Sequence, residues 1–324
     1  MKVVAILGGL GSQMVKYAFY LDVKKKCKDE KCYIDTTAFH SLKMWNGYEL
    51  ERIFGIRDED FYDLYTKEEQ ETVKSIPYRI AVMDKMKVLE PERDVYCTNR
   101  GKVIKYGTEM SFPVRLRNKV TELANKYWYG KVFHDDRHID RYPDNYLRLK
   151  GNTFYDEFNH TSDEYFRDSK EEVLKVFKFP EFADEQNTKI ADQMLQEESI
   201  ALHVRRSDHM YDNEELFTGG FFQKSVDKIR SRTRKPVFYI FSDEPEWCRT
   251  HLSELGLDDN DHIICVDWNC GKESFRDMQL MTYCKHNIMV ISSFSWWGYY
   301  LSKNTEGKIA CAPKGYWFDV ENHF

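Results

Sequence analysis

The chain has 324 residues, which is enough for about two domains of ordinary size. Hydrophobic residues make up 42% of it and charged residues 31%, as in an ordinary soluble globular protein. The formal net charge is -6, which argues against a nucleic-acid-binding protein, because such proteins carry a basic surface.

The chain opens with the segment MKVVAILGGLG, which predicts a strand and a glycine turn, followed by a helix with Ser12 as its N-cap. The segment lacks the features of a signal peptide, and no apolar run approaches the roughly 20 residues that span a bilayer. The eight cysteines include no C-x-x-C pair, which argues against a zinc site, and several lie in apolar runs, as buried thiols do. We therefore expect a reduced, cytoplasmic protein.

The glycine turn allows three interpretations. Gly9-x-Gly11 resembles the start of the dinucleotide fingerprint G-x-G-x-x-G, and Asp35 lies where that fingerprint expects an acid. However, Met14 occupies the third glycine position, which normally allows a helix and a strand to pack closely. The alternatives are a plain tight turn, and a bare backbone that a ligand approaches closely, with Gln13 as a polar contact.

From about residue 187 the chain alternates between helix-like and strand-like segments. The strand-like segments are SIALHV, VFYIF, HIICVD, NIMVIS and KIACA. Apolar runs that alternate with helices in this way predict an α/β fold with a doubly wound parallel sheet.

Polar residues follow four of these strands. They are Arg205, Arg206 and Asp208 after the first strand, Ser242 and Asp243 after the second, Asp267 and Trp268 after the third, and Ser292, Ser293, Phe294, Ser295 and Trp296 after the fourth. Open α/β sheets bind ligands at the carboxyl ends of their strands. The sequence therefore predicts one ligand site to which several loops contribute.

The chemistry of these residues fits an anionic ligand. Arginine binds phosphate through two parallel hydrogen bonds, and serines that open a helix help to form an anion site. Strand alternation puts His203 and Arg205 on one face, so we expect Arg205 at the ligand and Arg206 in a bracing ion pair. The alternatives are a structural ion pair for both arginines, a helix cap for Ser242 and Asp243, and core packing for the segment SSFSWWG.

Four strings together resemble the α-1,2-fucosyltransferases of glycosyltransferase family 11. They are GGLGSQM at residues 8–14, HVRRSD at residues 203–208, FSDEPEW at residues 241–247 and CKHNIMVISSFSWWG at residues 284–298. The last string is almost identical to the family's block and is highly specific, and weaker similarity extends over most of the chain. Ser12 and Ser207 depart from the family pattern, which has Asn and Gly at these positions.

The resemblance implies a GT-B-like fold with two Rossmann-like halves that face a cleft. Residues 1–186 would form the acceptor side, and residues 187–324 would bind GDP-fucose. It also implies an inverting transferase that moves L-fucose from GDP-β-L-fucose to O2 of a terminal β-galactoside in an oligosaccharide, without a metal ion. A cytoplasmic protein that associates peripherally with the inner membrane would suit such a role.

The family's site roles transfer onto matching positions of this chain. Arg205 would hold the β-phosphate, with Arg206 and Asp208 beside it in the catalytic centre. The donor contacts would be His203, Ser242 and Asp243 together with Ser292, Ser293, Phe294, Ser295 and Trp296, and the acceptor or fucosyl side would hold Gly9, Gly11 and Gln13. The general base stays open among Asp212, Glu214 and Glu215.

The sequence is also compatible with other functions. A metal-dependent transferase would want an Asp-x-Asp motif; Asp58-x-Asp60 and Asp259-x-Asp261 match it, but we interpret both as solvated surface because they lie in charged, loop-like segments. The rivals are a fucosyltransferase of another linkage or acceptor, a nucleotide-sugar-binding protein without transferase activity, and a NAD-dependent oxidoreductase that uses the N-terminal glycines.

Overall fold

The computed structural model describes residues 1–99, 102–106, 147, 149–156, 162–206, 216–304, 306–314 and 320–324. Its strands form two sheets, one with five strands and one with six. The predicted α/β class is confirmed, with one sheet from each half of the chain.

The first sheet comes from the first half of the chain. Its strands are β1 (Lys2–Ala5), β2 (Cys32–Asp35), β3 (Val95–Asn99), β4 (Lys102–Lys105) and β5 (Asn152–Tyr155). They lie in the order β2-β1-β5-β3-β4, and each neighbouring pair is parallel except β3 and β4. The helices of this half are α1 (Leu10–Lys26), α2 (Thr37–Ser41), α3 (Leu50–Phe54), α4 (Lys67–Val73), α5 (Tyr78–Leu89) and α6 (Lys170–Val176), with 3-10 turns at Phe61–Leu64 and Asp163–Phe166.

The second sheet is parallel throughout its described pairs, as predicted. Its strands are β6 (Ser199–Val204), β7 (Val237–Ser242), β8 (His262–Val266), β9 (His286–Ile288), β10 (Ala310–Ala312) and β11 (Asn322–His323), in the order β11-β10-β9-β6-β7-β8. The short edge strand β11 was not predicted. The helices are α7 (Glu185–Gln196), α8 (Phe221–Arg230), α9 (Pro245–Thr250), α10 (Phe275–Met281) and α11 (Ser293–Tyr300), with 3-10 turns at Leu252–Leu255 and Gly271–Glu273.

Strand β6 is buried on both faces, which explains its unbroken apolar sequence. Ile200, Leu202 and Val204 belong to a hydrophobic cluster that includes the inner residues of α8. Ala201 belongs to a second cluster, together with Met194 of α7 and buried residues of α10. Helices therefore cover both faces of the sheet, which confirms the doubly wound arrangement.

Helix α1 begins earlier than the sequence predicted. It starts at Leu10, so Ser12 lies inside the helix and is not its N-cap, and Gly11 lies in the first turn. Of the three glycines in this turn, only Gly8 takes a left-handed φ, of 80°, which glycine adopts without a steric penalty. This one residue reverses the chain quickly enough for the helix to begin two residues later.

The chain divides into two compact units that are discontinuous in sequence. Unit 1 contains residues 1–7, 16–43 and 57–170, and unit 2 contains residues 8–15, 44–56 and 171–324. The glycine turn and the segment around Trp45 therefore belong to the same unit as the second sheet. The domain boundary between residues 186 and 187 stays a prediction.

All eight cysteines are free thiols. Burial raises the pKa of Cys248 and Cys311 to about 11, so both are protonated and pack as small apolar side chains. Throughout the described ranges, no helix has both the length and the apolar character needed to cross a membrane.

Gly256 and Gly55 provide a matched pair for a stability test. Both end a helical segment with nearly the same backbone, φ 70° and ψ 16° for Gly256 and φ 68° and ψ 20° for Gly55. A Cβ at Gly256 would lie 2.7 Å from Cα of Gln223, whereas a Cβ at Gly55 would meet nothing within 4 Å. We expect Gly55→Ala to lower the free energy of unfolding by about 1 kcal/mol, from the left-handed backbone alone. Gly256→Ala should lower it by about 2 kcal/mol more, because of the collision.

Urea denaturation of both variants checks this difference. Equal losses of stability at the two positions would contradict the predicted contact between Gly256 and α8.

Candidate functional site

The carboxyl ends of three neighbouring strands form the centre of the candidate site. Strand β6 lies between β9 and β7, with Leu202 opposite Ile288 and Val204 opposite Ser242. The loops that start at Arg205, Asp243 and the segment before α11 therefore leave the same edge of the sheet. This is the convergence of loops that the alternating pattern predicted.

Asp243 links the loop after β6 to the loop after β7. Its Oδ1 accepts a hydrogen bond from the backbone N–H of Arg206 at 3.1 Å, and its Oδ2 lies 3.5 Å from Nη1 of Arg205. Ser242 accepts a hydrogen bond from the backbone N–H of Glu244 at 3.0 Å, so its hydroxyl shapes the start of α9. The structure gives both predicted donor contacts a role in holding the loops.

Arg206 is held on the opposite face of β6 from His203. Its Nε donates to Glu244 Oε2 at 3.0 Å, and its guanidinium carbon lies 3.7 Å from the ring centroid of Trp247. Such stacking and pairing fix a guanidinium group tightly. Arg206 thus takes the bracing position, while the Arg205 side chain is more exposed, 24% against 16%.

His203 presents a buried nitrogen without a partner. The residue is 5% exposed, and its ring stacks on Phe294 with centroids 5.9 Å apart. Its Nδ1 makes no hydrogen bond to any described residue. Burial, assisted by the nearby charge of Arg205, lowers the pKa of His203 to about 3. The imidazole is therefore neutral at physiological pH and has an unused polar atom beside Arg205, which a ligand could satisfy.

The serines before and within α11 have different roles. Ser292 caps the helix by accepting from the backbone N–H of Phe294 at 3.2 Å. The hydroxyl of Ser295 lies 3.2 Å from the carbonyl of Ser292 and is buried. The hydroxyl of Ser293 makes no hydrogen bond within the described part of the chain and faces Gly11, where an added Cβ would lie 2.8 Å from it. Trp296 is 3% exposed and stacks on Tyr300, which is core packing.

The start of α1 packs directly on the start of α11. A Cβ at Gly11 would lie 2.7 Å from the backbone nitrogen of Phe294 and from the carbonyl carbon of Ser293. Trp297 Nε1 also donates to the carbonyl of Gly11 at 3.0 Å. Glycine is required at residue 11 by this close approach between two helices. A Cβ at Gly9 would instead face the ring of Trp45 at 3.6 Å.

Asp35 does not have the environment of a dinucleotide-binding acid. Its carboxyl group is fully buried and accepts from the hydroxyl of Thr37 at 2.5 Å. Burial raises the pKa of Asp35 to about 8. A ribose-binding acid needs an accessible carboxylate at the end of its strand, so the local geometry argues against the NAD interpretation.

Gln13 is completely buried and fully bonded. Its Nε2 donates to the carbonyls of Gly8 and Gly47, both at 2.9 Å, and its Oε1 accepts from the backbone N–H of Glu49 at 2.9 Å. The side chain therefore ties the glycine turn to the segment 44–56. The structure shows that Gln13 braces this turn. A contact of Gln13 with the acceptor or fucosyl group stays a prediction.

The segment 44–56 is a part of the site that the sequence analysis did not single out. Trp45 covers Gly8 and Gly9, is 58% exposed and has a φ of 33°. Asn46 donates to the carbonyl of Gly271 at 2.9 Å and to the hydroxyl of Ser274 at 3.2 Å. The available signal was the weaker family similarity over most of the chain, which includes the string GYELERIFGI at residues 47–56.

The polar residues after β8 have structural partners. Trp268 Nε1 donates to Asn187 Oδ1 at 2.9 Å, and Asp267 forms an ion pair with Arg249. Asp208, Ser207 and the candidate bases Asp212, Glu214 and Glu215 lie outside the described residues.

The interpretation of Asp58 and Asp60 as solvated surface was wrong. Asp58 accepts from Tyr17 at 2.5 Å and pairs with Lys24 at 2.7 Å. Asp60 accepts from the backbone N–H groups of Thr36 and Tyr62. Both carboxylates are partly buried and occupied by protein donors. Asp259 is exposed, while Asp261 pairs with Arg230 at 2.5 Å.

Comparison with known proteins places this site in a family. A family model described as glycosyl transferase family 11 matches residues 116–318, which is more than half of the chain. The glycosyltransferase WbnK of O-antigen biosynthesis in Escherichia coli is 25% identical over 326 residues, covering 97% of this chain and 94% of that protein.

Other relatives match over shorter stretches. An α-1,2-colitosyltransferase of Escherichia coli is 30% identical over 165 residues, and a galactoside α-(1,2)-fucosyltransferase 1 of Sus scrofa is 29% identical over 149 residues. These matches cover 49% and 44% of this chain, but only 54% and 36% of the relatives, so the chain spans about half or less of their length. The solved structure of the fucosyltransferase NodZ from Bradyrhizobium is 13% identical, with a TM-score of 0.46, and covers 93% of this chain and 92% of that one.

Replacement of Gln13 tests its bracing role. Gln13→Leu leaves one buried N–H and two carbonyls without their partners, so we expect a loss of about 3 kcal/mol in the free energy of unfolding. Gln223→Leu, at an exposed position of α8, is the control and should change stability by less than about 0.5 kcal/mol. Urea denaturation measures both; an unchanged stability for Gln13→Leu would exclude the bracing role.

The buried His203 should make stability depend on pH. Its folded-state pKa of about 3 lies below the value of about 6.5 in an unfolded chain, so the unfolded state binds more protons between these values. Stability should therefore fall as the pH decreases below 6.5, and His203→Gln should remove about 2 kcal/mol of the loss between pH 8 and pH 5. His262→Gln, at an exposed position, is the control. Parallel pH profiles for wild type and His203→Gln would contradict the neutral, buried imidazole.

Proposed function

Because this chain belongs to glycosyl transferase family 11, we propose that it transfers L-fucose from GDP-β-L-fucose to a hydroxyl group of a glycan, with inversion at the anomeric carbon. The observation that carries the proposal is the position of Arg205. Its guanidinium group lies at the shared carboxyl edge of the parallel sheet, beside the unpaired nitrogen of His203.

The described residues suit a nucleotide diphosphate as the donor's leaving group. Arg205 holds the β-phosphate, and the hydroxyl of Ser293 with the first turn of α11 adds donors and the positive end of a helix dipole. His203 Nδ1 takes a polar group on the guanosine side. Asp243 keeps the arginine loop in place and, through its exposed portion, can also reach the ligand.

Arg205 would act mainly on the transition state. As the bond to fucose breaks, negative charge grows on the departing diphosphate, and a guanidinium held in advance stabilises that charge without rearranging. This positive charge supports a reaction that needs no metal ion, which we propose for this chain. The candidates for the base that accepts the proton of the acceptor hydroxyl are Asp212, Glu214 and Glu215, which lie outside the described residues.

The proposed acceptor is a terminal β-galactoside in an oligosaccharide, fucosylated at O2. The support is similarity to proteins named galactoside α-(1,2)-fucosyltransferases and to an O-antigen glycosyltransferase. Peripheral association with a membrane, where lipid-linked glycans are assembled, stays part of this proposal.

Similarity to one relative supports a second candidate for the donor sugar. The α-1,2-colitosyltransferase is 30% identical over 165 residues, which are 49% of this chain. Colitose is L-fucose without its 3-hydroxyl group, so the two donors share the nucleotide and differ by one polar contact. A pocket with a hydrogen-bonding partner for the 3-hydroxyl rejects the deoxy sugar strongly, whereas an apolar pocket discriminates little.

The decisive experiment compares donors, acceptors and cofactors directly. The chain is incubated with GDP-fucose or GDP-colitose, a panel of β-galactosides and other glycans, and either EDTA or a divalent metal, and the product linkages are determined. Transfer of fucose to O2 of galactose in the presence of EDTA supports the whole proposal. Donor binding without transfer to any acceptor would favour a nucleotide-sugar-binding protein, and stabilisation by NAD but not by GDP would favour the oxidoreductase.

Arg205 provides the sharpest mutational test. Arg205→Ala should reduce kcat for fucosyl transfer by about 100- to 1,000-fold, because the loss falls on a charge that develops in the transition state. Arg205→Lys should recover little, because lysine cannot form two parallel hydrogen bonds. Arg249→Ala, which breaks the ion pair with Asp267 at the same sheet edge, is the control and should retain kcat within about threefold.

Steady-state kinetics with GDP-fucose measure the three variants, and their melting temperatures show that each is folded. A kcat for Arg205→Ala above about a tenth of the wild-type value would contradict the proposed contact between Arg205 and the departing diphosphate.

A further inference from the structure

The second sheet has a cavity at its other edge, where the strands begin. Glu198 precedes β6, His286 opens β9 and Glu321 precedes β11, and all three line the same cavity of about 890 Å³. A smaller pocket of about 340 Å³ adjoins it and shares Lys308 as a lining residue. We call the two together the basic cavity.

The lining of the basic cavity is positive although the chain as a whole has a net charge of -6. Three acidic side chains contribute to it: Glu198, Glu306 and Glu321. Five basic side chains contribute to it: Lys228, Arg232, Lys285, Lys303 and Lys308. This local excess of cations opposes the sign of the whole molecule and attracts anions.

One of the three carboxylates is already occupied. Glu198 pairs with Lys285, and its Oε2 lies 3.1 Å from Nε2 of His286. The other ring nitrogen of His286 accepts the backbone N–H of Ile309 at 3.0 Å. The other four basic side chains make no ion pair to any described residue; of these, Lys303 Nζ lies 3.7 Å from the ring centroid of Tyr283.

Among these basic side chains, Lys308 has a buried amino group without a hydrogen-bond partner in the described residues. Its Nζ lies 5.1 Å from the ring centroid of Tyr299. Burial lowers the pKa of Lys308 to about 7. A buried ammonium group without an acceptor is unfavourable, and a bound anion would supply the missing acceptor.

We propose that the basic cavity binds the phosphate group of a small phosphorylated molecule, with Lys308 as the inner contact and Arg232 and Lys228 nearer the opening. Phosphate offers several acceptor oxygens to ammonium groups and a bidentate face to arginine. Tyr299 and Tyr300 line the adjoining pocket, whose 340 Å³ can take the organic part of such a ligand.

This cavity is separate from the candidate donor site. Glu198 precedes β6 and Arg205 follows it, and the six residues of the strand extend over roughly 20 Å. The two sites therefore occupy opposite edges of one sheet. The cavity would bind a second anion while the donor site is occupied, and its ligand is not the donor substrate.

The test must separate the two anion sites. We therefore use the full chain carrying Arg205→Ala, in which the diphosphate contact of the donor site is removed. Inorganic phosphate and pyrophosphate are titrated at constant ionic strength against chloride, with isothermal titration calorimetry and melting temperature as the measurements. In this background we expect saturable binding of pyrophosphate and a rise in melting temperature.

Adding Lys308→Met keeps the length of the side chain but removes its charge, and should weaken pyrophosphate binding at least tenfold. Adding Lys189→Met at an exposed position of α7 should leave binding unchanged. Arg232→Gln is the second cavity variant and should also weaken binding, so the test does not depend on one substitution. Far-UV circular dichroism confirms that each variant is folded.

Three outcomes would overturn the proposal. They are no response to either anion beyond that to chloride, equal affinity with and without Lys308→Met and Arg232→Gln, and binding in the wild type that Arg205→Ala alone abolishes. None of these outcomes depends on fucosyl transfer. Phosphate binding in the basic cavity can therefore be disproved while the proposed transferase function stands, and the transferase function can be disproved while phosphate binding stands.

Discussion

The carboxylate of Asp243 is the constraint on which the candidate site depends. It holds the backbone of Arg206 from one oxygen and faces the guanidinium group of Arg205 from the other. Asp243 therefore connects the loop after β6 to the loop after β7 at their first residues. Because parallel strands already fix the spacing of their ends, one short side chain is enough to set where a positive charge points. That charge is then in place before any ligand arrives.

The division of labour between the two arginines follows from the strand that precedes them. Side chains alternate between the faces of β6, and the two arginines that follow it continue this alternation, so their guanidinium groups meet different partners. Arg206 turns toward Glu244 and the Trp247 ring and becomes part of the scaffold. Arg205 lies near the neutral imidazole of His203, which itself stacks on Phe294 at the start of α11. The two guanidinium groups therefore have different surroundings, and that of Arg205 is the more exposed.

Local pattern predicted the features that arise within one strand or helix. The parallel second sheet, the facing of His203 and the opposite facing of Arg206 all follow from periodicity and from what comes after each apolar run. Contacts between distant segments could not be predicted in this way. Gln13 is bonded to Gly47 and Glu49, and Asp58 to Tyr17 and Lys24, none of which spacing alone could pair. Helix α1 starts at Leu10 because Gly8 has a left-handed backbone. The sequence alone does not show which of Gly8, Gly9 and Gly11 takes that conformation.

The membership of residues 8–15 and 44–56 in unit 2 has a consequence for recombination between relatives. A chimaera joined once near the middle of the chain would combine an α11 from one parent with a Gly11 turn from the other. That contact tolerates no additional atom, since a methyl group would lie 2.7 Å from the backbone of the helix. In a chimaera of two family members, residues 8–15 and α11 should therefore come from the same parent.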